Sequence, residues 1–128
     1  MVALDPFASS QHDRSTAIAE ALANGQCLTA ESENEILGYV VLNYSFFGFG
    51  FIPIIVVAAK HRRRGVGIEL LREARSRCTS RKLFASANLS NAAAAALFQA
   101  AGFVRSGVVE NLDPGDPEVF YFQEVQRP

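Results

Sequence analysis

Four fixed cations and a histidine stand directly before two glycines in "KHRRRGVGIELL", Lys60 to Leu71. Like charges repel, so such a cluster is either a solvated face or a seat for an anion. An apolar run precedes it and an amphipathic pattern follows it. Gly65 and Gly67 therefore fall where a strand turns into a helix. The first N–H groups of a helix lack intrahelical partners and carry the positive end of its dipole, which suits phosphate. Glycine there permits a turn and a close backbone approach without a Cβ clash. With Lys60 and Arg62–Arg64 at the rim, pyrophosphate is the natural partner. Two well-known phosphate motifs fail: GxxxxGK[ST] is absent, and "GVGIEL" puts Leu70 where GxGxxG needs its third glycine. What remains is R-x-x-G-x-G, Arg62 to Gly67, or a solvated basic turn punctuated by glycine.

The charge balance narrows the ligand. Residues 60–82 hold nine of the twelve Lys/Arg and only two of the thirteen Asp/Glu, a net +7 in a chain whose total is −1. A basic segment in an otherwise acidic protein points to local anion recognition. It argues against nucleic acid, because the acidic remainder would repel an extended phosphate backbone. The 128 residues, 49% apolar and 20% charged, predict one globular domain over residues 1–128. No apolar run approaches a membrane span, and "MVALDPFASS" has neither the basic nor the apolar region of a secretory signal. Cys27 and Cys78 are far apart without a CxxC and read as reduced thiols, so the expected location is cytoplasmic. No metal site is expected.

The elements that must position these residues follow from periodicity. Residues 10–24 predict a helix, stopped at Asn24–Gly25. Strands over 26–32 and 36–44 form a hairpin about "ENE". The stretch 47–60 reads as a central strand buried on both faces, in which Pro53 demands a bulge or an end to pairing on one side. A helix over 65–79, with Ile68, Leu71, Ala74 or Arg75, and Cys78 on one stripe, leads to a strand over 82–88. A helix over 91–101 follows, with Ser90 or Asn91 as N-cap and Gly102 at its end. Strands over 103–110 and 118–125 flank "NLDPGDP". The strand–helix–strand unit 50–88 is a right-handed crossover. The class is α/β with an α+β mixed sheet: about six strands with helices on both faces.

Two blocks carry a family resemblance. "VVAAKHRRRGVGIELL" resembles the acyl-CoA-binding motif of the GNAT superfamily of N-acetyltransferases, roughly V-x-P-x-x-[QR]-x-x-G-x-[GA] on a strand–turn–helix. "NAAAAALFQAAGF", Asn91 to Phe103, is similar to N-x-x-A-x-x-L-[YF]-x-x-x-G-F of the same family. The spacing between them and the "ILGYVVL" strand ahead agree. In that family a strand and a helix pair usually open the domain, so this chain's N-terminal strand reads as reduced or missing.

The resemblance implies acetyl-CoA as cofactor. It implies that Val56 and Val57 present backbone groups to pantetheine, with the Val57 N–H polarising the thioester carbonyl. Backbone N–H groups from Arg62 through Arg63, Arg64, Gly65, Val66 and Gly67 to Ile68 would hold the pyrophosphate, and one or two of the arginine side chains would meet phosphate. Asn91 matches the residue that bonds the pantetheine arm, or is simply a helix cap. Phe98 stands where many relatives carry a proton-donating tyrosine; it is core or a cofactor wall, and cannot donate. The implied reaction is direct attack by an amine, which needs a base. Glu110 is the first choice for it, then Asp113 and Glu118. Four carboxylates in the last hairpin favour a cationic small-molecule or peptide amine as acceptor. The alternative is a non-catalytic acyl-CoA-binding or regulatory module. Phe46, Phe47, Phe49 and Phe51 form either core or a homodimer contact.

Overall fold

The computed structural model describes residues 27–61 and 65–125. β-branched and aromatic residues over the first of these stretches build three antiparallel neighbours: β1 (Cys27–Ser32), β2 (Glu35–Phe46) and β3 (Phe49–Val57). The β1–β2 turn is Glu33–Asn34, both at positive φ, 48° and 69°, as a tight hairpin of this hand requires. A 3₁₀ turn, Ala59–His61, follows β3. Then come α1 (Val66–Arg77), β4 (Lys82–Asn88), α2 (Ala92–Ala100), β5 (Val104–Val109) and β6 (Glu118–Glu124). The sheet order is β1-β2-β3-β4-β6-β5. Among the described residues only β3 and β4 pair parallel, with α1 as the crossover between them.

The six strands and the mixed sheet match the expectation, with boundaries shifted by one to three residues. Both described helices pack on the same face. Leu70, Leu71, Ala74 and Cys78 from the α1 segment join Phe98 and Phe103 over Val40, Leu42, Ile52, Leu83, Ala85, Val119 and Tyr121. Helices on both faces would need the helix expected over 10–24, which lies outside the described residues, as does any strand before it. The buried stripe of α1 is Gly67, Leu70, Leu71 and Ala74; Ile68 sits at its margin. Among the described residues no helix is long and apolar enough to cross a membrane. Cys78 is buried and Cys27 half-buried, both as free thiols, and burial pushes the Cys27 thiol up, which keeps it protonated.

Pro53 does what its chemistry requires. The β2–β3 register runs Gly38↔Val57 to Val41↔Ile54, then resumes at Asn43↔Phe51, so β3 carries one extra residue at Pro53. The bulge switches faces. Ile52 points to the helices, whereas Ile54 and Val56 are buried on the opposite side, where Tyr39 and Val41 are their register partners. This explains how an unbroken apolar run is buried on both faces.

Candidate functional site

The β3–β4 pairing stops early. It runs Gly50↔Leu83, Phe51↔Phe84 and Ile52↔Ala85, and goes no further. β3 continues to Val57 and β4 to Asn88, so the two strands part just after Ile52 and Ala85, at the bulge. Their far ends diverge towards the helix starts. The result is a slot between the two strands, with Pro53 and Ser86 the first residues past the last pair.

Strand alternation decides which backbone groups face the slot. Ala58 N–H donates to Leu37 O at 2.9 Å, which makes Gly38↔Val57 a wide pair. Val56 and Ile54 therefore exchange their backbone bonds with Tyr39 and Val41 of β2. Ile55 and Val57 turn theirs to the β4 side. Val57, expected to polarise the thioester carbonyl, thus directs its backbone groups away from β2. Val56 directs its N–H into the ladder and its side chain, 6% exposed, into packing. Ile55 was missed because nothing in its side chain marks it. The signal that could have found it was Pro53, two residues earlier on a strand of period two.

At the slot's open end lies the start of α1. Gly65 is its N-cap, at φ 81° and ψ 3°, a left-handed conformation that favours glycine. The helix therefore begins at Val66, with the leading N–H groups of Val66, Gly67 and Ile68 directed outward. Gly67 has a different reason for its size: a Cβ there would fall 2.8 Å from Leu97 Cδ2 of α2, so glycine lets the two helices close. Arg62, Arg63 and Arg64 lie outside the described residues.

Much of the basic segment is matched within the protein. Arg72 pairs with Glu69 at 2.8 Å and Arg77 with Glu73 at 2.7 Å along α1. Arg75 donates to Glu124 O at 3.0 Å. Lys60 pairs with Glu35, and His61 Nε2 lies 3.3 Å from the same carboxylate oxygen. The turn entering the cofactor end of the slot is thereby tied to the β1–β2 hairpin. Lys60, ahead of His61, holds the Glu35 carboxyl below its ordinary value. A carboxyl depressed on folding stabilises the folded state above its unfolded pKa, and that contribution drains away as pH falls through the folded value. Glu35→Gln is therefore expected to lower Tm at pH 7, with the gap to the parent closing below about pH 4; a pH series of melting curves checks it.

The other wall of the slot ends at the β4–α2 turn. Asn91 caps α2, its Oδ1 accepting from Ala94 N at 3.0 Å. Beside it a clasp joins this turn to the last hairpin loop. Asn88 Nδ2 donates to Asp113 Oδ2 at 2.8 Å and to Asp116 O at 3.1 Å. Ser90 N and Oγ donate to the two carboxylate oxygens of Asp116, at 3.0 and 2.6 Å. Asp113 is thus engaged in holding the loop. Glu110, in the same loop, is exposed, and Glu118 opens β6 opposite Asn88. The ring of Phe98 is 1% exposed, 5.6 Å from Phe103 and 5.2 Å from Tyr121, which leaves almost no surface for a cofactor wall. Tyr44 Oη accepts from Thr79 N at 2.9 Å behind the end of α1. Of the four early phenylalanines, Phe46, Phe49 and Phe51 are half-buried and Phe47 is 85% exposed.

A slot, a helix start and a capping asparagine fit a long thin ligand with an anionic head. Comparisons with known proteins agree. The model of the acetyltransferase (GNAT) family matches residues 3–103. A GNAT-family acetyltransferase from Bacillus cereus is 35% identical, with a TM-score of 0.88, covering 99% of this chain and 89% of its own. A Bacillus anthracis structure in complex with acetyl coenzyme A is 22% identical, with a TM-score of 0.70, over 77% of this chain and 61% of that one. The ribosomal-protein-S18-alanine N-acetyltransferase of Escherichia coli is 18% identical, with a TM-score of 0.70, over 90% and 78%. No curated protein matches the chain.

Proposed function

The chain belongs to the GNAT acetyltransferase family, whose cofactor is acetyl-CoA, and on that premise we propose that it acetylates a primary amine of a small molecule or peptide by direct attack. The observation that carries this reading is the parting of β3 from β4 beside the N-terminus of α1. The N–H groups of Val66, Gly67 and Ile68 suit a pyrophosphate, and Arg62–Arg64, just before them in the sequence, would add charge. Ile55 and Val57 offer backbone groups along one wall. Asn91 offers its amide at the other.

Bound acetyl-CoA supplies an activated thioester carbonyl. The ligand enters from the helix end, at Val57, so the thioester lies deeper, nearer the apex. We assign the polarising N–H to Ile55 on that ground, and to Val57 a pantetheine contact. An N–H fixed by the strand needs no reorganisation as charge grows on the carbonyl oxygen. The amine must lose a proton, since an alkylammonium of pKa about 10.4 is only about 0.04% neutral at pH 7. Glu110 is the carboxylate best placed to receive it, directly or through water, because Asp113 is committed to Asn88. Phe98 cannot protonate the departing thiolate, and a thiol pKa near 8.5 lets it leave unassisted.

Thermal unfolding with acetyl-CoA, CoA and ATP tests the cofactor. A ligand that binds only the folded state adds about 2.7 kcal/mol at one hundred times its Kd. Acetyl-CoA and CoA should raise Tm by several degrees, and ATP far less. Absence of a shift at millimolar acetyl-CoA would overturn the reading. Binding without turnover of any amine would leave a non-catalytic acyl-CoA-binding module.

A further inference from the structure

The Asn91 side chain is placed by a neighbour that lies outside the cofactor slot. Residues 88–91 link β4 to α2 in a tight turn, closed by Asn91 N–H donating to Asn88 O at 2.9 Å. The helix starts at once, with Asn91 as its cap, and Oδ1 accepts from Ala94 N at 3.0 Å. The cap uses Oδ1, so Nδ2 is the atom of this side chain that can donate to a ligand. Where Nδ2 points depends on how the turn is held.

The loop between β5 and β6 holds it. Leu89 N–H donates to Pro117 O at 2.8 Å. Asn88 Nδ2 reaches both Asp113 Oδ2 and Asp116 O. Asp116 is half-buried, and each of its carboxylate oxygens takes one donor of Ser90, the N–H at 3.0 Å and the hydroxyl at 2.6 Å. Hydrogen bonds to an ionised acceptor are shorter and stronger than neutral ones. Here they fix both the backbone and the side chain of the residue directly before Asn91. The first turn of α2 has no acidic residue of its own, so Asp116 also supplies the negative charge that a helix start favours.

We propose that Asp116 is a positioning residue for acetyl-CoA: through Ser90 it sets the Asn91 amide against the pantetheine arm. The proposal rests on the acetyl-transfer reading, in which Asn91 offers that amide at the wall of the slot. A turn released from Asp116 presents the amide correctly for only part of the time. Apparent affinity then falls by that fraction. A carboxylate of the last hairpin loop thereby acts on the cofactor without touching it.

The test is calorimetry with CoA on four full-length proteins: the parent, Asp116→Ala, Asn91→Ser and the double variant. Serine still caps a helix but has no amide, so Asn91→Ser removes the donor to the ligand and keeps α2. Asp116→Ala should weaken CoA binding about tenfold, the scale of one misplaced hydrogen bond. Asn91→Ser should weaken it by a similar factor. In the Asn91→Ser background, Asp116→Ala should add less than about twofold, because the atom it positions is gone. A merely structural loss would weaken CoA by the same factor in both backgrounds, and that result overturns the proposal. Parent-like affinity in either single variant overturns it as well. If Asp116→Ala does not fold, Ser90→Ala removes the hydroxyl bond alone. It should cost about threefold in affinity, a loss that disappears with Asn91→Ser. In all these outcomes CoA binding by the parent keeps the acetyl-transfer reading. Failure of the parent to bind CoA would remove both.

Discussion

Ile55→Pro is expected to lower kcat by about 10²–10³-fold, the cost of losing one preorganised donor to a carbonyl oxygen, while acetyl-CoA affinity changes little. The substitution removes a side chain packed on the core but breaks no bond to β2. The Ile55 N–H faces away from β2, so no ladder bond to that strand is lost. Ile54 before it is already extended, the conformation that proline demands of its predecessor. Steady-state turnover with an amine substrate, alongside calorimetry with CoA, separates the two effects. Val57→Pro is the control. A larger kcat loss there than at Ile55 would transfer the donor role to Val57, and parent-like kcat in Ile55→Pro would end the assignment.

The largest effect on stability is expected at Phe98. Its ring joins α2 to the sheet through Phe103 and Tyr121 and is 1% exposed. Phe98→Ala should cost about 3–5 kcal/mol, because transfer free energy is lost and the cavity cannot collapse between a helix and a sheet. That is a large part of the roughly 5–15 kcal/mol that holds a domain of this size folded. Urea unfolding should show the midpoint fall sharply with the m-value unchanged, and Tm should drop by more than about 10 °C. A loss below about 1 kcal/mol would mean that the ring is not the keystone its burial indicates.

Sequence reading reached the order of elements because the apolar periods are clean and glycine or turn residues separate them. It reached the strand and helix on either side of Gly65 because R-x-x-G-x-G after an apolar run is a local signal, and local signals survive without tertiary contacts. Pro53 was readable as a bulge for the same reason. Other features were out of reach. That Gly67 is small for the sake of Leu97 depends on two helices thirty positions apart in the chain meeting. The clasp of Asn88 and Ser90 on Asp113 and Asp116 joins segments across two elements, so Asp113 read as a free carboxylate. Much of the basic segment read as net charge, yet Glu69, Glu73 and Glu35 neutralise its members locally.

That parting also sets the mechanics of the molecule. Three register pairs join β1-β2-β3 to β4-β6-β5, so the sheet is two stiff plates with a short seam. A pantetheine arm seated between Ile55 and Asn91 would complete the missing rungs and act as a splint across the gap. Amide exchange along the outer halves of β3 and β4 should therefore slow, more than anywhere else, when cofactor binds. The cofactor in such a sheet is both the reagent and the beam that makes the two plates one.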